Sequence, residues 1–163
     1  MVNIRRGVFE TNSSSTHSIV IARENTKPYD YVEFNIGEYG WERNKYRGTT
    51  EKASYFYTSA CDYYSRDVAD DISNLLSPYR ISCVFRIKPI FEIFNGEQYL
   101  DNGFVDHSEE SGKFVKSLLS DSSKLIDYLF NDESYVETGN DNDDYSVGEE
   151  KPDCNYIEYY KGN

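Results

Sequence analysis

Phe9-Glu10-Thr11-Asn12-Ser13-Ser14-Ser15-Thr16-His17-Ser18 runs directly into the apolar triplet Ile19-Val20-Ile21. Within those first ten residues stand six hydroxyl side chains, one amide and one of the chain's two histidines. Ser, Thr and Asn compete with the backbone for its own hydrogen bonds, so such a run resists helix and strand interiors alike. The expectation is a polar loop that feeds a buried strand over residues 17–23, with a short strand or extended arm over residues 1–9 before it.

Outward from this stretch the pattern alternates between strands and helices. Tyr31-Val32-Glu33-Phe34-Asn35-Ile36 has the period of two of a half-buried strand. Gly37 to Gly48 reads as a long loop carrying the single Trp41. Thr49 or Thr50 can cap a helix containing Ala53, Phe56, Ala60 and Tyr64, and Val68, Ile72, Leu75 and Leu76 form a second that Pro78 stops. Ile81 to Ile87 is a strand with Ile81, Cys83, Phe85 and Ile87 as inward candidates, and Ile90 to Phe94 resumes pairing. Asn95 to His107 reads as a loop. Phe114 to Phe130 holds a helical period across a weak point at Asp121-Ser122-Ser123, giving two short helices or one kinked helix. Ser134 to Glu137 and Asn155 to Tyr160 are closing strands around a polar turn over Thr138 to Asp144. The fold class expected is α+β, a single domain over residues 1–163, with a mixed or antiparallel sheet and about four helices.

Charge narrows the function classes. The net charge is −12. Nonspecific nucleic-acid binding needs Lys and Arg to displace phosphate counterions, and an anionic membrane surface needs them equally. A basic protein is the partner that suits this charge, which also speeds encounter with it. Acidity concentrates in residues 131–163, with ten acidic residues against two lysines. Tyr135, Tyr145, Tyr156, Tyr159 and Tyr160 lie among them, so this is an acidic, tyrosine-rich part of the same domain rather than a plain tail. Three widely spaced cysteines without a CxxC fit free thiols in a reducing compartment. No apolar leader or membrane-length run occurs, so the expected location is the cytoplasm of the cell that makes the protein.

Three polar stretches carry the candidate chemistry. Thr16-His17-Ser18 and Asp106-His107-Ser108 present both histidines beside hydroxyls, and Thr138-Gly139-Asn140-Asp141-Asn142-Asp143 has no apolar side chain. Gathered at one end of a sheet, His17 and His107 would form an acid–base pair. Asn12, Ser13, Ser14, Ser15, Ser18, Asp106, Ser108, Asn140 and Asp141 would hold a phosphate-containing ligand. Each stretch also has a plain structural reading as a turn or helix cap. Sharper templates are absent: the hydroxyl adjoins each histidine instead of standing two residues on, and there is no GxSxG, HExxH or P-loop. No metal or cofactor is assigned.

Arg5-Arg6-Gly7-Val8-Phe9-Glu10-Thr11-Asn12-Ser13-Ser14-Ser15-Thr16-His17-Ser18 resembles the N-terminal signature of a group of small proteins encoded by phages and mobile elements of Gram-positive bacteria. The segments Glu51-Lys52-Ala53-Ser54-Tyr55, Val105-Asp106-His107-Ser108 and Thr138-Gly139-Asn140-Asp141-Asn142 are similar to that group as well. The resemblance implies an accessory phage protein acting in the host cytoplasm, and it assigns no reaction. Two readings follow. The first is an acidic inhibitor of a host defence nucleic-acid enzyme, such as a CRISPR effector. There Asp141, Asp143, Asp144, Glu149 and Glu150 would occupy a basic groove in place of phosphates. The second is a small enzyme or nucleotide-binding protein using the two-histidine, serine and aspartate site.

Overall fold

The computed structural model describes residues 15–106, 108–140, 147–148, 152 and 154–162. The expected arm over residues 1–9 lies outside them. The central strand β1 (Ser15–Ala22) is buried along its whole length. It lies between β9 (Tyr135–Asn140) and β10 (Tyr156–Gly162), antiparallel to both, and β4 (Asn44–Tyr46) adds to β9 as the fourth strand. Ser15 to Ser18 are therefore strand, not loop. Flanking strands satisfy the backbone there, so the hydroxyls have no backbone donors to compete for. The same pairing extends β9 to Asn140, through the first part of the expected polar turn.

The remaining strands form small pairs. β2 (Tyr31–Asn35) lies parallel to β5 (Ser82–Ile87), and β3 (Glu38–Tyr39) lies parallel to β8 (Phe104–Val105). β6 (Phe91–Phe94) and β7 (Glu97–Leu100) make an antiparallel hairpin. The loops expected over residues 37–48 and 95–107 thus each contain two short strands. The hairpin turn is Asn95-Gly96, both residues at positive φ (51° and 81°), the geometry that lets two residues join twisted antiparallel strands. Ile87 was expected to point inward with Phe85, yet it is exposed. Phe34 pairs with Phe85 but Asn35 pairs with Ile87, and that one-residue bulge turns Ile87 to the other face.

Four helices follow: α1 (Thr49–Tyr64), which packs on β2, α2 (Ala69–Leu76), on β5, α3 (Ser108–Leu119), on β10, and α4 (Ser122–Phe130), on β1. A single 3₁₀ turn over Ser77–Tyr79 follows α2 around Pro78. Helix α1 starts after Gly48, whose N–H donates to the Glu51 carboxylate at 3.1 Å, so Thr49 is the first helical residue and not the cap. The break between α3 and α4 is real: Asp121 caps α4 by accepting from Lys124 N at 3.1 Å.

Helix α1 is buried from Lys52 to Cys61 on all sides, as a helix enclosed by other elements must be. Its polar side chains answer backbone groups of the strands beside it. Ser54 Oγ accepts from Asn35 N at 3.1 Å, and Thr58 Oγ1 accepts from Gly37 N at 3.0 Å. One contiguous core joins α1, α3 and α4 to β1, β2 and β9. It is built largely of rings, and each fully buried phenol has a partner. Tyr57 Oη donates to Asp67 at 2.8 Å and Tyr128 Oη donates to the Lys52 carbonyl at 2.7 Å.

Lys52 is the exception among these groups. Its residue is 1 % exposed, and its ammonium donates to the Asn131 carbonyl at 2.7 Å, where α4 ends. Burial lowers its pKa from 10.5 to about 8 against the pull of Asp132. Between those two values the unfolded chain holds the lysine proton more tightly, so this group adds stability as pH rises from 8 to 10.5. The thiols of buried Cys61 and half-buried Cys83, pushed up from 9 to about 12 and about 11, act in the opposite sense above pH 9. Comparison with Lys52→Met isolates the lysine. In urea titrations across that window, the stability difference between wild type and Lys52→Met shifts toward wild type by at most about 1.4 kcal/mol per pH unit. A difference that stays flat with pH would show that Lys52 is solvated.

Candidate functional site

Strand alternation divides the polar half of β1 between two faces. Ser15 and His17 point inward with Ile19 and Ile21, while Thr16 and Ser18 point outward with Val20. The register sets Ser15 opposite Asn140, Thr16 opposite Gly139, His17 opposite Thr138 and Ser18 opposite Glu137. From the second polar stretch, Asp106 Oδ2 accepts the Ser15 hydroxyl at 2.9 Å. Ser15, which adjoins the first stretch, thus stands with Asp106 of the second and Asn140 of the third at the same end of the sheet.

His17 is fixed at both ring nitrogens. Nε2 lies 2.8 Å from the Gly40 carbonyl and Nδ1 lies 2.8 Å from the Tyr55 hydroxyl. A carbonyl only accepts, so Nε2 carries the proton. With the ring uncharged, Nδ1 is then the acceptor for Tyr55 Oη. Tyr55 is suited to donate, because complete burial holds its pKa well above the usual phenol value and keeps the proton on oxygen. The residues from Gly37 to Gly48 are drawn over this end by further bonds. Thr138 Oγ1 donates to the Glu42 carbonyl at 2.6 Å, and Asp106 N donates to the Tyr39 carbonyl at 2.9 Å. Trp41 is left exposed between Gly40 and Glu42.

Chemically, this arrangement binds the fold to itself. Ser15 is fully buried and donates to the Asp106 carboxylate, so its hydroxyl is engaged within the fold. His17 can transfer a proton only by breaking one of its two bonds. On the outward face the Thr16 and Ser18 hydroxyls are buried and have no hydrogen-bond partner among the described residues, a state that costs about 1–3 kcal/mol per group. Gly139, opposite Thr16, leaves room for Val147, whose Cγ2 occupies the place a Cβ would take. Two cations lie over the Tyr135 ring on this face, Lys45 Nζ at 4.2 Å and the Arg47 guanidinium at 4.9 Å.

Asn12, Ser13, Ser14, His107, Asp141, Asp143, Asp144, Glu149 and Glu150 lie outside the described residues. Ser108 opens α3. Among the described residues no group of three His, Cys, Asp or Glu side chains could hold a metal ion, and no helix is long and apolar enough to cross a membrane.

Two surface features escaped the sequence reading. The first is the β6–β7 hairpin. Ile87, Ile90, Ile93 and Phe94 are 53 %, 56 %, 72 % and 47 % exposed, so four of the nine exposed large hydrophobic residues among those described fall within residues 87–94. The signal was present: Asn95-Gly96 between alternating residues is a strong hairpin mark. The second is a cavity of about 460 Å³ between the loop that follows Ala22 and the end of α4. Its residues come from three distant segments, and no sequence pattern announces their meeting.

No family model, curated protein or solved structure matches this chain.

Proposed function

We propose that this chain is a binding protein that captures a basic partner by protein–protein contact. In the setting that the N-terminal resemblance implies, that partner is a host defence nucleic-acid enzyme, and capture inhibits it. The observation that carries this reading is the exposure of Ile93 and Phe94 on the β6–β7 hairpin, and of Ile87 and Ile90 in the segment leading into it, on a chain of net charge −12. Exposed apolar groups gathered in one place mark interaction surfaces more often than chance exposure does. Glu92 and Glu97 on the same hairpin favour a positively charged rim opposite them. The alternative, acid–base chemistry by two histidines, is weakened by the engagement of both His17 nitrogens within the fold.

The test uses wild-type protein and an Ile93→Ser/Phe94→Ser variant as baits for bacterial lysate at low and high salt. The substitutions fall on exposed side chains, so the variant keeps its fold, checked by its denaturation midpoint. A basic nucleic-acid-binding protein is captured by wild type and released by salt, with at least about a tenfold loss for the variant. Equal capture by both baits, or capture insensitive to salt, overturns the reading.

A further inference from the structure

The cavity of about 460 Å³ lies on a different part of the surface from the hairpin and has its own chemistry. Three carboxylate residues line it, Glu24, Asp132 and Glu133, against one cation, Lys27. One wall is aromatic. Tyr29 is 66 % exposed and meets Phe130 at right angles, with centroids 6.2 Å apart and planes at 72°. The floor is the end of α4, where Asn131 caps the helix. The negative end of a helix dipole attracts cations. The chain already answers that attraction from inside, since the Lys52 ammonium reaches the Asn131 carbonyl from the core side.

One carboxylate, that of Glu24, and the backbone on both rims are held in place. Glu24 Oε1 accepts from the Asn155 amide at 2.7 Å, and the Asn131 side chain donates to the Glu24 carbonyl at 2.8 Å, which ties the two rims together. The Glu133 N–H is held by Asn131 Oδ1 at 3.0 Å. A concave site with an exposed tyrosine in its wall, carboxylates around it and a helix C-terminus beside it is complementary to a flat or compact cation on an alkyl stem.

We infer that this cavity binds an alkyl guanidinium or ammonium group, the head of an arginine or lysine side chain on a basic peptide. The inference goes beyond the partner reading and stands or falls separately from it, because a small cation probes the cavity whether or not a protein partner is found.

Agmatine, which carries both head groups, is titrated into ¹⁵N-labelled protein at constant ionic strength, with neutral butyramide as the control. Amide shifts that saturate, confined to residues 24–29 and 130–133, are the expected result. Asp132→Asn/Glu133→Gln and, separately, Tyr29→Ala each weaken agmatine binding by about tenfold, a factor that one desolvated cation contact can supply. Both variants change exposed side chains, and unchanged amide positions elsewhere report an intact fold. Shifts that never saturate or scatter over the surface overturn the inference. So do an equal response to butyramide and unchanged binding in both variants. Retained agmatine binding beside failed lysate capture would leave the cavity standing and remove the partner reading.

Discussion

His17→Leu lowers the unfolding free energy by about 2–4 kcal/mol, the effect of leaving two polar groups unpaired at a buried site. Leucine fills much of the ring's volume, so the loss reads the hydrogen bonds rather than a cavity. The groups stranded are the Tyr55 hydroxyl and the Gly40 carbonyl, which the imidazole now meets at 2.8 Å each. They belong to α1 and to the segment between β3 and β4, so the variant also loosens Trp41 and its neighbours. His17→Gln restores the donor to Gly40 and recovers about half of the loss, because the Tyr55 hydroxyl stays unpaired. Urea titration of the three proteins, with tryptophan emission as the probe, separates these outcomes. A leucine variant as stable as wild type would mean that the ring is held for something other than the fold.

Phe114→Ala has the larger effect, about 3–5 kcal/mol. Phe114 on α3 is fully buried and packs against four rings from three other elements. The centroids of Tyr55 and Phe56 on α1 lie at 6.2 and 5.8 Å, Tyr128 on α4 at 5.2 Å and Tyr160 on β10 at 5.7 Å. These contacts are edge-on or tilted, the arrangements that the ring quadrupole favours. Alanine removes the hub and leaves a void that rigid neighbours fill only in part. Phe114→Leu keeps most of the volume, and its loss is under about 1.5 kcal/mol. The same urea series decides the matter, and an alanine variant within 1 kcal/mol (about the effect of an average substitution) would show that the four rings close over the gap.

The helical half of this fold is legible from the spacing of its apolar residues. Phe114, Leu118, Leu125, Leu129 and their neighbours announce α3 and α4, and Asp121 marks the break between them because its carboxylate is suited to cap a helix. The strands are less legible for two physical reasons. Ser15 to Ser18 look like a loop because hydroxyls ordinarily seek their own backbone. In this chain β9 and β10 take up that backbone from both sides, a fact settled by residues more than a hundred positions away. Ile87 looks inward because alternation predicts it, and the bulge opposite Asn35 reverses it. Lys52 carries no mark of burial in the sequence, since only the α4 carbonyl that meets its ammonium makes an interior lysine tolerable.

The candidate site shows the same division. The sequence singles out residue types able to do chemistry, but not whether their donors and acceptors are already used. Asp106 and Ser15 satisfy each other, and His17 is shared between Tyr55 and Gly40. Thr16 and Ser18 have hydroxyls without a hydrogen-bond partner among the described residues, and they face away from His17.

Whether His17 is part of the scaffold or a reagent is read most directly from the protonation of its two ring nitrogens in ¹⁵N-labelled protein near neutral pH. The account predicts one neutral tautomer, with the proton on Nε2 and Nδ1 accepting from Tyr55. In Tyr55→Phe that Nδ1 signal moves while Nε2 stays protonated. A ring protonated on Nδ1, or one exchanging rapidly between tautomers, would contradict the locked geometry and return His17 to the role of an acid–base group.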